Sequence, residues 1–131
     1  MQDLVLSCRV IAATSNDERF PAKNVLNVND NNFWLTTGIF PQCLLISLNS
    51  RTALKFLKIV STCIKSFVVE AASDDASKYQ TSVEMNADFA DKQIQITNCP
   101  LNGALCKRIK ITILSAYDHF VAVYKLIFEQ G

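Results

Sequence analysis

FPAKNVLNVNDNNFWLTTGIFPQ, residues 20–42, holds most of the non-repetitive chemistry of this chain, and the rest is read outward from it. Pro21 fixes φ, and Ala22 and Lys23 suit a single helical turn reaching Leu26. Asn24, Asn27, Asn29, Asp30, Asn31 and Asn32 then crowd together. Such side chains bond their own backbone and tolerate left-handed φ, so a compact, sharply turning loop is expected. It runs into Phe33 and Trp34, side chains that bury well over about 100 Å² each and anchor what they touch. A polar loop bolted to a core by an aromatic pair suits a functional loop; equally, the asparagines can serve only as turn formers and Trp34 only as core filler.

On both sides of this stretch the pattern is β. Residues 4–13 are β-branched and apolar and end at the turn formers Thr14, Ser15, Asn16 and Asp17. Within 43–48, Leu44, Ile46 and Leu48 alternate with Cys43, Leu45 and Ser47, and Asn49 and Ser50 mark an end. Strands at 54–60 and 66–72 follow, with a short link at 62–65. A polar turn at 73–77 leads to a strand at 79–85, a charged connection at 86–92 and a strictly alternating strand at 93–97. Asn98, Pro100, Asn102 and Gly103 break the chain before the strongest strand, 105–114; the turn 115–119 opens the last, 120–128. Eight or nine short strands with turn signals between them, and no helix longer than the turn at 21–26, predict an all-β antiparallel sandwich or jelly roll. No internal repeat is present.

With 131 residues the chain is expected to form one domain, 1–131, burying roughly two thirds of its unfolded surface. Half the residues are apolar, 19% are charged, and glycine and proline number three each, which excludes disorder. The net charge is +1, and Lys107, Arg108 and Lys110 form the densest basic cluster, too small to neutralise a run of phosphates. No nucleic-acid partner is expected. No apolar run approaches membrane-spanning length and no leader pattern opens the chain, so an intracellular protein is expected. Cys8, Cys43, Cys63, Cys99 and Cys106 are odd in number, lack a CxxC pair and lack a histidine at ligand spacing. They read as free thiols used as small hydrophobes, not as disulfides or a zinc site.

Catalytic chemistry has little to stand on. His119 is the single histidine and sits beside Asp118; Cys8 or Ser115 could be imagined as its nucleophile. There are no elbow glycines, and a serine four residues before the histidine in one turn cannot easily face it. No glycine neighbours another, so no phosphate cradle exists. The expectation is a non-enzyme without a cofactor. Ile111, Thr112 and Ile113 read as strand interior.

The arrangement of Pro21, Asn24, Leu26, Phe33, Trp34, Thr36, Thr37, Gly38, Phe40, Pro41 and Gln42 resembles the opening of the discoidin, or coagulation-factor type C, family of jelly rolls. With ATSNDE at 13–18 and SAYDHF at 115–120 added, the chain resembles the jelly-roll subunits of intraflagellar transport. Residues 65–99 match only in strand pattern. The resemblance implies a galactose-binding-domain-like jelly roll and a non-catalytic subunit of intraflagellar transport complex B. It further implies pairing with a Rab-like small GTPase, intraflagellar transport protein 27, and with other complex B subunits, to move cargo in cilia, with localisation to cilium and cytoplasm. The alternative is a discoidin-like carbohydrate- or lipid-binding module, which would need exposed aromatics and arginine at the loop tips; Phe40 and Arg19 are the candidates.

In discoidin-like relatives the opening loop holds calcium, and the resemblance places its ligands at Asn24, Asn27, Asn29 and Asn32, with a last-strand partner near Lys125. The carboxylate position here is an amide and the last-strand position an ammonium, so calcium is expected to be absent or weakly bound. Lys125 would then either reach the loop carbonyls or face solvent. In the last strand Phe120, Ala122, Tyr124, Leu126 and Phe128 alternate with Val121, Val123, Lys125 and Ile127, so both faces are apolar. One face of a sandwich strand normally meets water, so part of this strand is expected to be covered, by an internal loop or by a partner. Tyr124, Leu126 and Phe128 are the candidate partner-binding residues.

Overall fold

The computed structural model describes residues 8–14, 21–26, 33–36, 39–73, 79, 81–88, 94–118 and 120–130. Its strands are β1 (Cys8–Ala13), β2 (Trp34–Leu35), β3 (Gln42–Thr62), β4 (Ile64–Ala72), β5 (Thr81–Asn86), β6 (Gln95–Ala116) and β7 (Ala122–Gln130). Pairing is antiparallel throughout, in the order β2-β7-β3-β6-β4-β5, with β1 on β3. The predicted helical turn is present as a 3-10 turn, Ala22–Leu26.

Two layers arise because β3 and β6 are long and bent. The first part of β3 pairs with β1 and its second part with β7, while β6 pairs with β3 along most of its length and with β4 only from Arg108 on. Side chains from both parts of β3, among them Leu44, Ile46, Leu57 and Ile59, meet Phe67, Ile109, Ile113 and Trp34 in one core. This is the jelly-roll sandwich that the strand pattern predicted.

The expected strand count differs for a physical reason. The end predicted at Asn49-Ser50 is a bulge inside a continuous strand; at the other, Asn98 and Pro100 stay in the ladder, opposite Lys58 and Phe56, and only Asn102 and Gly103 fall in a bulge. Register passes from Ser47↔Arg108 to Thr52↔Cys106 and from Leu54↔Ala104 to Phe56↔Pro100, so the turn formers loop out while pairing resumes beyond them. Asn102 and Gly103 take positive φ, 54° and 79°, which these two residue types tolerate. At the first bend Lys107 Nζ donates to the carbonyls of Leu48 (2.7 Å) and Asn49 (2.8 Å), satisfying acceptors that lost their ladder partners.

A third bulge lies in β7. Val60 pairs with Lys125 but Ser61 pairs with Val123, leaving Tyr124 as the extra residue. Side-chain alternation therefore changes phase there: Val121 and Val123 point into the core before the bulge, Leu126 and Phe128 after it. The apolar residues of both series thus reach the core in part through this change of phase, and on the outer face Tyr124 meets Phe33 beside the opening loop. Leu126 and Phe128, 1% and 2% exposed, serve the core and cannot line a partner surface; of the three candidates only Tyr124 reaches the exterior.

Candidate interaction surface

The opening loop is fastened to the sandwich from both ends. Ala22 and Val25 of the 3-10 turn are buried, and the turn packs against β7 and β1. Trp34 is fully buried opposite Val123. Thr36 closes the far end: its N–H donates to the Val121 carbonyl (2.9 Å), and the Val121 N–H donates to Thr36 Oγ1 (2.9 Å). The Thr36 hydroxyl also reaches the Val121 carbonyl at 3.3 Å, so a buried side chain extends the short β2–β7 ladder by one rung. Further on, Gln42 is buried and its amide donates to the Ile39 carbonyl (2.8 Å), while the Thr14 hydroxyl donates to Gln42 Oε1. The Cys43 N–H in turn donates to Thr14 Oγ1 (2.8 Å). Motif residues that looked functional in the sequence thus hold β1, β2, β3 and β7 together.

The surface beside the loop is apolar with basic points. The Phe33 ring lies 5.3 Å from the Tyr124 ring, planes tilted by 53°. Ile127 is half-buried on the outer face of β7, in register with Lys58, and Lys125 is in register with Val60. Phe120 is exposed at the start of the strand. A stripe of Phe33, Tyr124 and Ile127 edged by Lys58 and Lys125 is the result.

Of the calcium positions, Asn24 lies in the 3-10 turn, and Asn27, Asn29 and Asn32 lie outside the described residues. Lys125 is on β7, the strand on which that turn packs. Among the described residues no group of three or more His, Cys, Asp or Glu side chains comes together.

Nor do the imagined catalytic residues assemble among the described ones. His119 is outside them, as is Arg19, the arginine candidate for ligand binding; Asp118 is exposed; Ser115 shares a hydrogen bond with Ser66 on β4; Cys8 pairs with Leu48 on β3. The cysteines are free thiols, as expected. Burial pushes Cys99 and Cys106 up to about 11, and burial with the Asp118 charge raises Cys63, so these thiols stay protonated and poorly nucleophilic. For a sugar, the candidate Phe40 is half-buried beside the exposed Ile39, while Tyr117 and Phe120 are exposed at the turn before β7. In a cavity of about 310 Å³ on the opposite layer, Lys110 Nζ stands 6.0 Å from the Tyr79 ring on which a sugar would stack.

A residue that sequence reading missed is Gln95. It is buried at the start of β6, where its Oε1 accepts from the Ile64 N–H (2.9 Å) and the Ser61 hydroxyl (3.2 Å). Its Nε2 donates to the carbonyls of Ile64 (2.8 Å) and Asp88 (2.9 Å). In sequence it read as the polar half of an alternating strand, and only its three-dimensional neighbours reveal the role.

No family model matches the chain. It is 30% identical over 131 residues to the human intraflagellar transport protein 25 homolog, an alignment covering 97% of this chain and 91% of that protein. It is 28% identical to intraflagellar transport protein 25 of Chlamydomonas reinhardtii, over 89% of this chain and 62% of that one. Among solved structures, a Clostridium perfringens family 32 carbohydrate-binding module in complex with GalNAc-β-1,3-galactose superposes with a TM-score of 0.84 at 15% identity, covering 98% of this chain and 99% of that one. Chitosan-binding module 1 from a Paenibacillus chitosanase/glucanase gives 0.82 at 14% identity, covering 98% of each. At such identities these two likenesses show the fold alone.

Proposed function

Because the chain belongs to the intraflagellar transport protein 25 family, we propose that it is a non-catalytic subunit of an intraflagellar transport complex, complex B, acting in the cilium or flagellum and the cytoplasm. Its partner in this reading is a Rab-like small GTPase, intraflagellar transport protein 27, together with other complex B subunits that move cargo. The observation that carries it is 30% identity to the human protein over 97% of the chain. Physical support comes from the outer face of β7, where Phe33, Tyr124 and Ile127 form an apolar stripe on a rigid layer. Aromatic side chains flanked by lysine stems suit a protein interface, since they offer large area at low entropic cost.

Co-expression with the GTPase followed by size-exclusion chromatography tests the reading. The wild type should elute as a 1:1 complex, and Tyr124→Asp with Ile127→Asp should lose the partner while the domain stays folded, its melting temperature lowered only by the lost Phe33 contact. Leu126→Asp should unfold the domain, because that side chain is core. Failure of the wild type to bind the GTPase overturns the pairing.

The alternative is a discoidin-like carbohydrate- or lipid-binding module, for which the half-buried Phe40 beside exposed Ile39 is the loop-tip candidate. Titration with galactose decides it: saturable binding with no GTPase complex would replace the main reading.

A further inference from the structure

The first part of β6 is a free sheet edge. Across residues 95–106 it pairs with β3 on one side, and β4 joins its other side only from Arg108. Among the described residues nothing pairs with that second side. In an antiparallel ladder every second residue turns its N–H and C=O away from the partner, so this edge presents a row of backbone donors and acceptors.

Several features separate it from an ordinary, guarded edge. Natural edges carry charge, above all lysine, yet the exposed large side chains here are Ile94 (54%) and Ile96 (65%), two residues apart and so on one face, with Leu105 (50%) beyond the bulge. β5, an edge strand at one end of the sheet, is polar by contrast: its exposed positions are Ser82, Glu84 and Asn86. Ile96 is in register with the half-buried Val60, so its apolar surface continues onto β3. Beside the edge lies a cavity of about 380 Å³ whose far wall is Met85, Asn86 and Asp88. Gln95 lines it too, and its Nε2 donates to the Asp88 carbonyl of the far wall, so a fully satisfied side chain ties the edge to that wall. Pro100 and the positive φ at Asn102 and Gly103 end the regular stretch.

We propose that residues 94–98 of this edge accept an extended segment of a partner protein as an added β-strand. An extended backbone is the one structure that matches the row of edge groups, and Ile94 and Ile96 select apolar side chains at alternate positions of the incoming strand. Asp88 is the one ionisable side chain among the described lining residues, so the segment carries a lysine or arginine near its end. This edge lies two strands from β7 on the same face of the layer, with Val60 between Ile96 and Lys125, so the added strand would run alongside the β7 stripe.

The test uses the full chain, 15N-labelled, titrated with the acetylated, amidated peptide Lys-Thr-Val-Thr-Val-Thr-Lys. The expected result is shift changes and slowed amide exchange centred on 94–98, alternating along the strand. Replacing the central threonine by proline, which removes a donor, should abolish binding. Ile96→Gln and Ile96→Lys should each weaken it by about fivefold or more without changing the fold, since the side chain is exposed. Equal binding of the proline peptide, protection centred on β5, or no binding at millimolar peptide overturns the proposal. Protection of 94–98 that depends on protein concentration without peptide would assign the edge to a second copy and overturn it too.

Discussion

Phe33 and Tyr124 touch ring to ring, 5.3 Å between centroids, because β7 bulges at Tyr124 and turns its side chain out toward the loop. A tilted aromatic pair of this kind contributes about 1 kcal/mol beyond its area. Tyr124→Phe should leave stability within about 0.5 kcal/mol of wild type, whereas a Phe33→Ala and Tyr124→Ala double-mutant cycle in urea should return a coupling of about 1 kcal/mol. A coupling of zero would mean that the pair merely adjoins.

Thr36→Val keeps the shape of the side chain and removes its hydroxyl, stranding the Val121 N–H in a buried site. The expected loss is about 1 to 3 kcal/mol of unfolding free energy. Thr36→Ser, which retains the oxygen, should lose less. If valine costs nothing, the hydroxyl is not what joins β2 to β7.

Gln95 satisfies three backbone groups, on Ile64 and Asp88, and one hydroxyl, on Ser61, at the corner between the layers. Gln95→Leu should destabilise by about 3 kcal/mol and speed amide exchange at Ile64 far more than at Ile46 in the middle of β3. Uniform acceleration would argue against a local tie.

Stability should fall in alkali. The Cys99 and Cys106 thiols hold their protons to about 11, against an ordinary value near 9, so above pH 9 the unfolded chain sheds protons that the folded chain keeps. Their contribution is whole below pH 9 and lost as pH rises to 11, on the order of 2 kcal/mol per thiol. Denaturant melts between pH 8 and 11 measure it. Cys99→Ala with Cys106→Ala, less stable at neutral pH through lost packing, should show a shallower decline over that window.

Calcium should not stabilise the protein. A ligand at a hundred times its dissociation constant would add about 2.7 kcal/mol, easily seen as a rise in melting temperature. With Lys125 on β7 and amides at the carboxylate positions, millimolar calcium should leave the melting curve unchanged. A rise reversed by chelator would reject this and show that loop oxygens suffice.

The sequence by itself determined what depends on local pattern. Period-two alternation, with its turn formers, dictated an all-β sandwich; Pro21 and the residues after it dictated one helical turn; Trp34 and the odd, isolated cysteines dictated a core aromatic and free thiols. Tertiary structure decided whether a turn former ends a strand. Asn49 and Ser50, like Asn102 and Gly103, sit in bulges with β3–β6 pairing on both sides, and Asn98 and Pro100 are held in the ladder itself, so cross-strand pairing carries the strands past residues whose local preference is to turn. It likewise decided which residues of β7 are inside, because one bulge at Tyr124 shifts the alternation and sends Leu126 and Phe128 into the core. Bulges belong to pairs of strands distant in sequence, and the partner that sets their register is invisible to the segment that contains them.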